Sequence, residues 1–181
     1  MKKLLIILIL ICGCGSGNEK TVVAPTYSDT VSEWTFKGDS MAYDLGIYWG
    51  EGENNGSGGA SIEFLLSYPD TRPLKNVVLW VGVNSIHAGT PIDDIVSHHQ
   101  ELHDSIKAER IYCVGVPYVN GINGYDSSLW PNIAILNAAI ETKCGKENYV
   151  DIESIPVVFT SDGIHPDDAT NELIKGEILS R

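Results

Sequence analysis

Asn76-Val77-Val78-Leu79-Trp80-Val81-Gly82-Val83 is apolar almost without a break. A strand with one wet face would alternate; a short apolar run closed by glycine reads as a strand covered on both sides, as inside a parallel sheet. Upstream, Trp34-Thr35-Phe36 is a shorter strand that runs into Lys37-Gly38-Asp39-Ser40. Ile47-Tyr48-Trp49 reads as a second short strand, residues 54–59 as a Gly/Asn-rich loop and residues 60–67 as a helix. Downstream, Thr90 is the expected N-cap of a helix opening at Pro91. From there Ile92, Ile95, Val96, His99, Leu102, His103 and Ile106 fall at helical spacing. Residues 110–116 form a further strand, 131–142 a helix, 149–152 a strand and 167–179 a closing helix. Strands alternating with helices predict an α/β domain with a parallel sheet. Ligands of such domains sit outside the carboxyl ends of the strands.

Three post-strand segments carry chemistry. Gly38-Asp39-Ser40 puts a hydroxyl at a strand-to-helix turn, where helix-start N–H groups face the same place. Gly82-Val83-Asn84 puts an amide donor at a strand end. Asp162-Gly163-Ile164-His165-Pro166 precedes the last helix. A hydroxyl needs a base to become a nucleophile, and the base needs an acid to set its tautomer. An Asp three residues before a His, in a Gly-containing turn, can fold back onto Nδ1 and leave Nε2 for Ser40. Each piece alone has a bland reading as a turn, a cap or a surface side chain. Their order after successive elements is what carries weight.

On these residues the chain resembles the SGNH (GDSL-type) hydrolases. Phe36-Lys37-Gly38-Asp39-Ser40-Met41-Ala42 looks like the block around the serine, and Asn54-Asn55-Gly56-Ser57-Gly58-Gly59 is similar to the Asn-x-Gly-x-x-Gly loop. Gly82-Val83-Asn84-Ser85 resembles the Gly-x-Asn-Asp block, and Asp162 to Pro166 matches the terminal Asp-x-x-His-Pro block. The resemblance implies a three-layer, flavodoxin-like sandwich with a five-stranded parallel sheet over residues 32–181. It also implies metal-free and cofactor-free ester hydrolysis through an acyl-enzyme. Ser40 would be nucleophile, His165 base and Asp162 its orienting acid; the Ser40 N–H, the Gly59 N–H and the Asn84 side chain would form the oxyanion hole. Gly56 and Gly58 stay open as alternatives to Gly59. Ser85 stands where the family carries Asp, so the Asn84 loop should be supported differently.

Other residues carry rival readings. His99 and His103 have chelating spacing, but no third ligand is evident and Glu101 is out of place for a metalloprotease motif, so edge-of-core packing is expected. His87 is a candidate pocket residue. Trp49, Tyr118, Tyr125 and Trp130 could sit near the cleft, without an assigned role. Cys113 and Cys144 are either a disulfide or buried thiols, since pairing needs a distance.

The N-terminus bears on location. Met1-Lys2-Lys3, an apolar run over residues 4–11 and Cys12-Gly13-Cys14-Gly15 form a signal-like segment too short to span a bilayer. Ile11-Cys12-Gly13-Cys14 resembles a bacterial lipobox. Residues 1–13 are expected to be a lipoprotein signal peptide, Cys14 the lipidated residue and 14–31 a tether, placing the domain on the cell envelope with a membrane partner. Loss of Lys2 and Lys3 would move the formal charge from −12 to −14. So acidic a domain repels nucleic acid. The expected substrate is a small-molecule or carbohydrate ester, with O-acyl transfer by the same triad or a non-catalytic binding lipoprotein as rivals.

Overall fold

The computed structural model describes residues 31–121 and 124–181. The readings of the signal segment, Cys14 and all but the last residue of the tether lie outside them. Five strands form one all-parallel sheet in the order β2-β1-β3-β4-β5: β1 (Trp34–Gly38), β2 (Glu53–Gly56), β3 (Leu74–Trp80), β4 (Ala108–Val114) and β5 (Tyr149–Val150). The three-layer, five-stranded parallel architecture expected from the sequence is the one observed. Val77 through Trp80 of β3 are fully buried, as their apolar run demands. The Trp80 indole N–H is satisfied by the Gly115 carbonyl at 3.0 Å.

Crossovers between parallel strands, which are right-handed almost without exception, distribute the helices. From β1 the chain steps one way to β2 through α1 (Ser40–Trp49); every later crossover steps the other way. One face therefore carries α1, against which the closing helix α6 (Asp168–Leu179) also packs. The opposite face carries α2 (Ile62–Leu66), α3 (Val83–His87), α4 (Ile92–Ser105) and α5 (Trp130–Cys144), with α4 packed on both α2 and α5. The change of direction puts a switch point between β1 and β3, where their carboxyl ends open a crevice.

Three sequence expectations fail locally. Ile47-Tyr48-Trp49 is the end of α1, not a strand: Met41, Ala42, Leu45, Gly46 and Trp49 bury at helical spacing while Ile47 stays exposed. Trp49 accordingly packs in the core against Trp34 and Phe36. The true β2 lies in the Gly/Asn-rich stretch. It has no apolar pattern because it is an edge strand, held by β1 and by side-chain bonds. The Asn54 amide donates to the Tyr43 carbonyl (2.7 Å), and Glu53 accepts from the Arg72 guanidinium (2.9 and 3.0 Å). Thr90 is not the N-cap of α4. Pro91 takes that position without a side-chain bond, and Asp93 and Asp94 in the first turn favour the helix N-terminus electrostatically.

Cys113 on β4 and Cys144 at the end of α5 form a disulfide, so the bridge ties that helix to the sheet. His103, from α4, completes the one group of metal-type side chains found among the described residues, with the two bridged sulfurs.

His99 is buried against the core, and desolvation, aided by nearby His103, pushes its pKa down to about 4. The folded state therefore keeps this ring neutral, whereas the unfolded chain protonates it near pH 6.5. The contribution is complete above pH 6.5 and is lost as pH falls toward 4, by roughly 3 kcal/mol. Comparing denaturant midpoints of the parent and His99→Leu across that window should show the parent losing ground with acid relative to the variant. Parallel curves would refute it.

Candidate active site

The nucleophile candidate is placed by the β1–α1 turn. Gly38 passes so close to the end of β3 that a Cβ there would run into the Trp80 carbonyl and approach the Ala42 Cβ to 2.8 Å. Asp39 then caps α1, its carboxylate accepting the Met41 N–H at 2.9 Å while its own N–H donates to the Trp80 carbonyl at 3.1 Å. Ser40 is thereby the first helical residue, at the carboxyl end of a central strand and beside the switch point.

The opposing side chains come from the turn before α6. Gly163 sits in the left-handed region at φ 70°, which lets the chain reverse between Asp162 and His165. Asp162 Oδ1 accepts the N–H groups of Ile164 (2.8 Å) and His165 (3.0 Å) and the Thr160 hydroxyl (2.9 Å). Its other oxygen meets His165 Nδ1 at 2.5 Å, and His165 Nε2 lies 2.7 Å from Ser40 Oγ. One hydrogen-bonded line thus runs from carboxylate through imidazole to hydroxyl. Desolvation alone would raise the Asp162 pKa. The bonds from His165, from the backbone N–H groups and from Thr160 outweigh it and hold the carboxyl well below the ordinary range.

Asn84 enters from the third segment, in the first turn of α3. Its Nδ2 donates to the Ala60 carbonyl at 3.0 Å and its Oδ1 accepts the Tyr125 hydroxyl at 2.7 Å. An amide nitrogen has two N–H groups, so one remains for a ligand. Ser85, standing where Asp was anticipated, is fully buried: its Oγ accepts the Ile62 N–H and donates to Glu63, each at 3.0 Å. It therefore ties α3 to the start of α2, which is the different support that the substitution called for. Of the three glycines, Gly56 donates its N–H to Asn54 within the β2 edge (3.2 Å). The Gly58 and Gly59 N–H groups make no hydrogen bond among the described residues, and both residues are exposed.

Neither a family model nor a curated protein matches the chain. Solved structures do. The lipase/acylhydrolase from Enterococcus faecalis superposes with a TM-score of 0.64 at 16% identity, over 81% of this chain and 92% of that one. A member of the lipolytic G-D-S-L family from Veillonella parvula gives 0.56 at 17%, over 81% and 95%. Axe2, an acetylxylan esterase from Geobacillus stearothermophilus, studied as its catalytic mutant, gives 0.60 at 12%, over 82% and 93%. The fold is the GDSL-type hydrolase fold.

In this GDSL-type fold the remaining aromatic candidates separate. His87 stacks face to face on Tyr125, with centroids 3.9 Å apart and planes 8° apart. Tyr118 donates to Glu153 at 3.0 Å and meets Trp130 edge-on; the Trp130 indole N–H donates to the Val119 carbonyl at 2.9 Å. Tyr125 carries a contact to Asn84 that no local pattern announced. Asp39, quoted in the block around the serine, had likewise been given no role of its own. It is wholly buried, and burial, only partly offset by the Met41 N–H and by nearby His165, pushes its pKa up to about 7. Its titration acts against that of His99, being favourable when protonated and lost as pH rises through 7. The difference between variants, rather than one protein's curve, therefore isolates His99.

Proposed function

We propose that the chain is a serine ester hydrolase that works through an acyl-enzyme on Ser40 and prefers small acyl groups, such as acetyl on a carbohydrate. The observation that carries this is the unbroken Asp162–His165–Ser40 hydrogen-bonded line at the switch point of the sheet. With the Asp162 carboxylate accepting a hydrogen bond from Nδ1–H, neutral His165 presents the Nε2 lone pair to the Ser40 hydroxyl. As Ser40 Oγ bonds to the ester carbonyl carbon, its proton passes to Nε2. Negative charge collects on the carbonyl oxygen. The N–H groups of Ser40 and Gly59 (or Gly58) and the open N–H of Asn84 are the donors for it. The tetrahedral species collapses by breaking the bond to the alcohol oxygen, which takes the proton from His165. Water then repeats the sequence in the acyl-enzyme, with His165 again the base, releasing the acid and free Ser40.

The small-acyl preference rests on the compact chain, which leaves little room for a lid, and on an exported location. That location rests in turn on the signal-like N-terminal sequence and on the resemblance of residues 11–14 to a lipobox, with Cys14 as the proposed lipid anchor. The acetylxylan esterase that shares the fold supports acetyl as the first substrate to try. The test is turnover of p-nitrophenyl acetate against longer acyl esters, with a fluorophosphonate probe and peptide mapping. Acetate turnover blocked by one label on Ser40 is the expected result. No turnover and no label with folded protein would overturn the reading. Activity confined to long-chain esters would remove the small-acyl part, and acetyl transfer to an added sugar in place of water would make it an acyltransferase.

A further inference from the structure

We infer that Tyr125, a residue in no motif of the chain, is a positioning residue that holds the Asn84 amide in its donor orientation toward the oxyanion; this rests on the ester-hydrolase reading above. An asparagine amide can point either way, and only its Nδ2 end can donate. Two contacts remove the ambiguity. The Ala60 carbonyl, which can only accept, takes one Nδ2 proton at 3.0 Å. The Tyr125 hydroxyl donates to Oδ1 at 2.7 Å from the other side. With both made, the second N–H has one direction left, and the amide is set before substrate arrives, which is the condition for strong stabilisation of developing charge.

Tyr125 is itself held in place. Its ring stacks on His87, three residues after Asn84 on the same helix, so ring and hydroxyl grip α3 at two points. Its carbonyl accepts the Gly121 N–H at 2.5 Å, and Asn120 donates to the Gly163 carbonyl at 3.0 Å. Gly121 lies so tightly on the Asp162–Ile164 turn that a Cβ would come within 2.6 Å of Ile164 Cγ1. The segment after β4 thus touches the Asp162–His165 turn through Asn120 and Gly121 and the oxyanion amide through Tyr125. Burial, and secondarily the Asp39 carboxylate, raise the phenol pKa above its ordinary value, so the hydroxyl remains a donor throughout the working pH range.

The test is a double-mutant cycle in the full chain with p-nitrophenyl acetate. Tyr125→Phe keeps the ring on His87 and removes only the hydroxyl. It should lower kcat about 10-fold with KM within twofold, a fraction of the roughly 10²-fold or greater cost of deleting an oxyanion donor. In an Asn84→Ala background the same change should alter kcat less than twofold, because the group it orients is gone. An unchanged kcat in the single variant, or an equal loss in both backgrounds, would overturn the inference. A second readout does not depend on turnover. The side-chain 15N–1H pair of Asn84, assigned by its disappearance in Asn84→Ala, should shift and exchange at least 10-fold faster in Tyr125→Phe. An unchanged pair sinks the positioning role even if the esterase reading stands. A shifted pair in a protein without Ser40-dependent turnover would support the amide geometry and remove the reaction it was inferred to serve.

Discussion

Ser40→Ala is expected to lower small-ester turnover by about 10³-fold or more while leaving the protein as stable as before. The size follows from what is removed. Without Oγ no acyl-enzyme forms, and His165, 2.7 Å from the missing atom, can at best activate water poorly placed for the carbonyl. Backbone N–H groups and Asn84 remain, so some acceleration over solution survives. Stability should hold because the capping group of α1 is Asp39, not Ser40. Active-site titration with the fluorophosphonate probe should fall to zero label alongside unchanged thermal melting. Turnover within tenfold of the parent would mean that the hydroxyl is not the nucleophile.

Asp162→Asn is expected to cost nearly as much, on the order of 10³- to 10⁴-fold in kcat. Asparagine keeps the shape but can offer its N–H₂ to Nδ1, which then accepts; the ring proton moves to Nε2, the wrong side for taking a proton from Ser40. Unlike the serine change, this one also acts on folding. The carboxylate accepts two backbone N–H groups and the Thr160 hydroxyl besides His165, and together these hold its pKa below the ordinary value of 3.8 despite desolvation. A depressed folded pKa means stability that is present above pH 3.8 and is lost as pH falls below it. With the side chain 37% exposed the contribution is screened and modest. Melting curves should therefore show the parent's advantage over the variant shrinking below that pH. An undiminished kcat would remove Asp162 from the line, and a pH-independent gap in stability would assign its role to shape alone.

Much of the fold was open to direct reading. The apolar run at residues 76–83 announced the covered strand, and alternation with helical periods announced the parallel sheet. Local pattern misled where a neighbour supplied the stabilisation. β2 is an edge of Glu and Asn held by Arg72, Tyr43 and β1, with nothing apolar to betray it. Ile47-Tyr48-Trp49, rich in strand formers, is helical because Leu45 and Trp49 bury one turn apart.

The candidate site divides in the same way. Ser40, Asn84, Asp162 and His165 were legible because their chemistry restricts residue type and because each follows a strand or opens a helix, which are local facts. The sequence by itself therefore determined the order of elements, the residues that could serve as nucleophile, base and acid, and the acidic surface. Packing decided the rest. It joined Cys113 to Cys144, showed that the Gly56 N–H is spent on β2, gave Ser85 a structural bond to α2, and brought Tyr125 onto an amide 41 residues earlier in the chain. Those contacts are selected by distance and direction across the layers of the fold, which no spacing along the chain encodes.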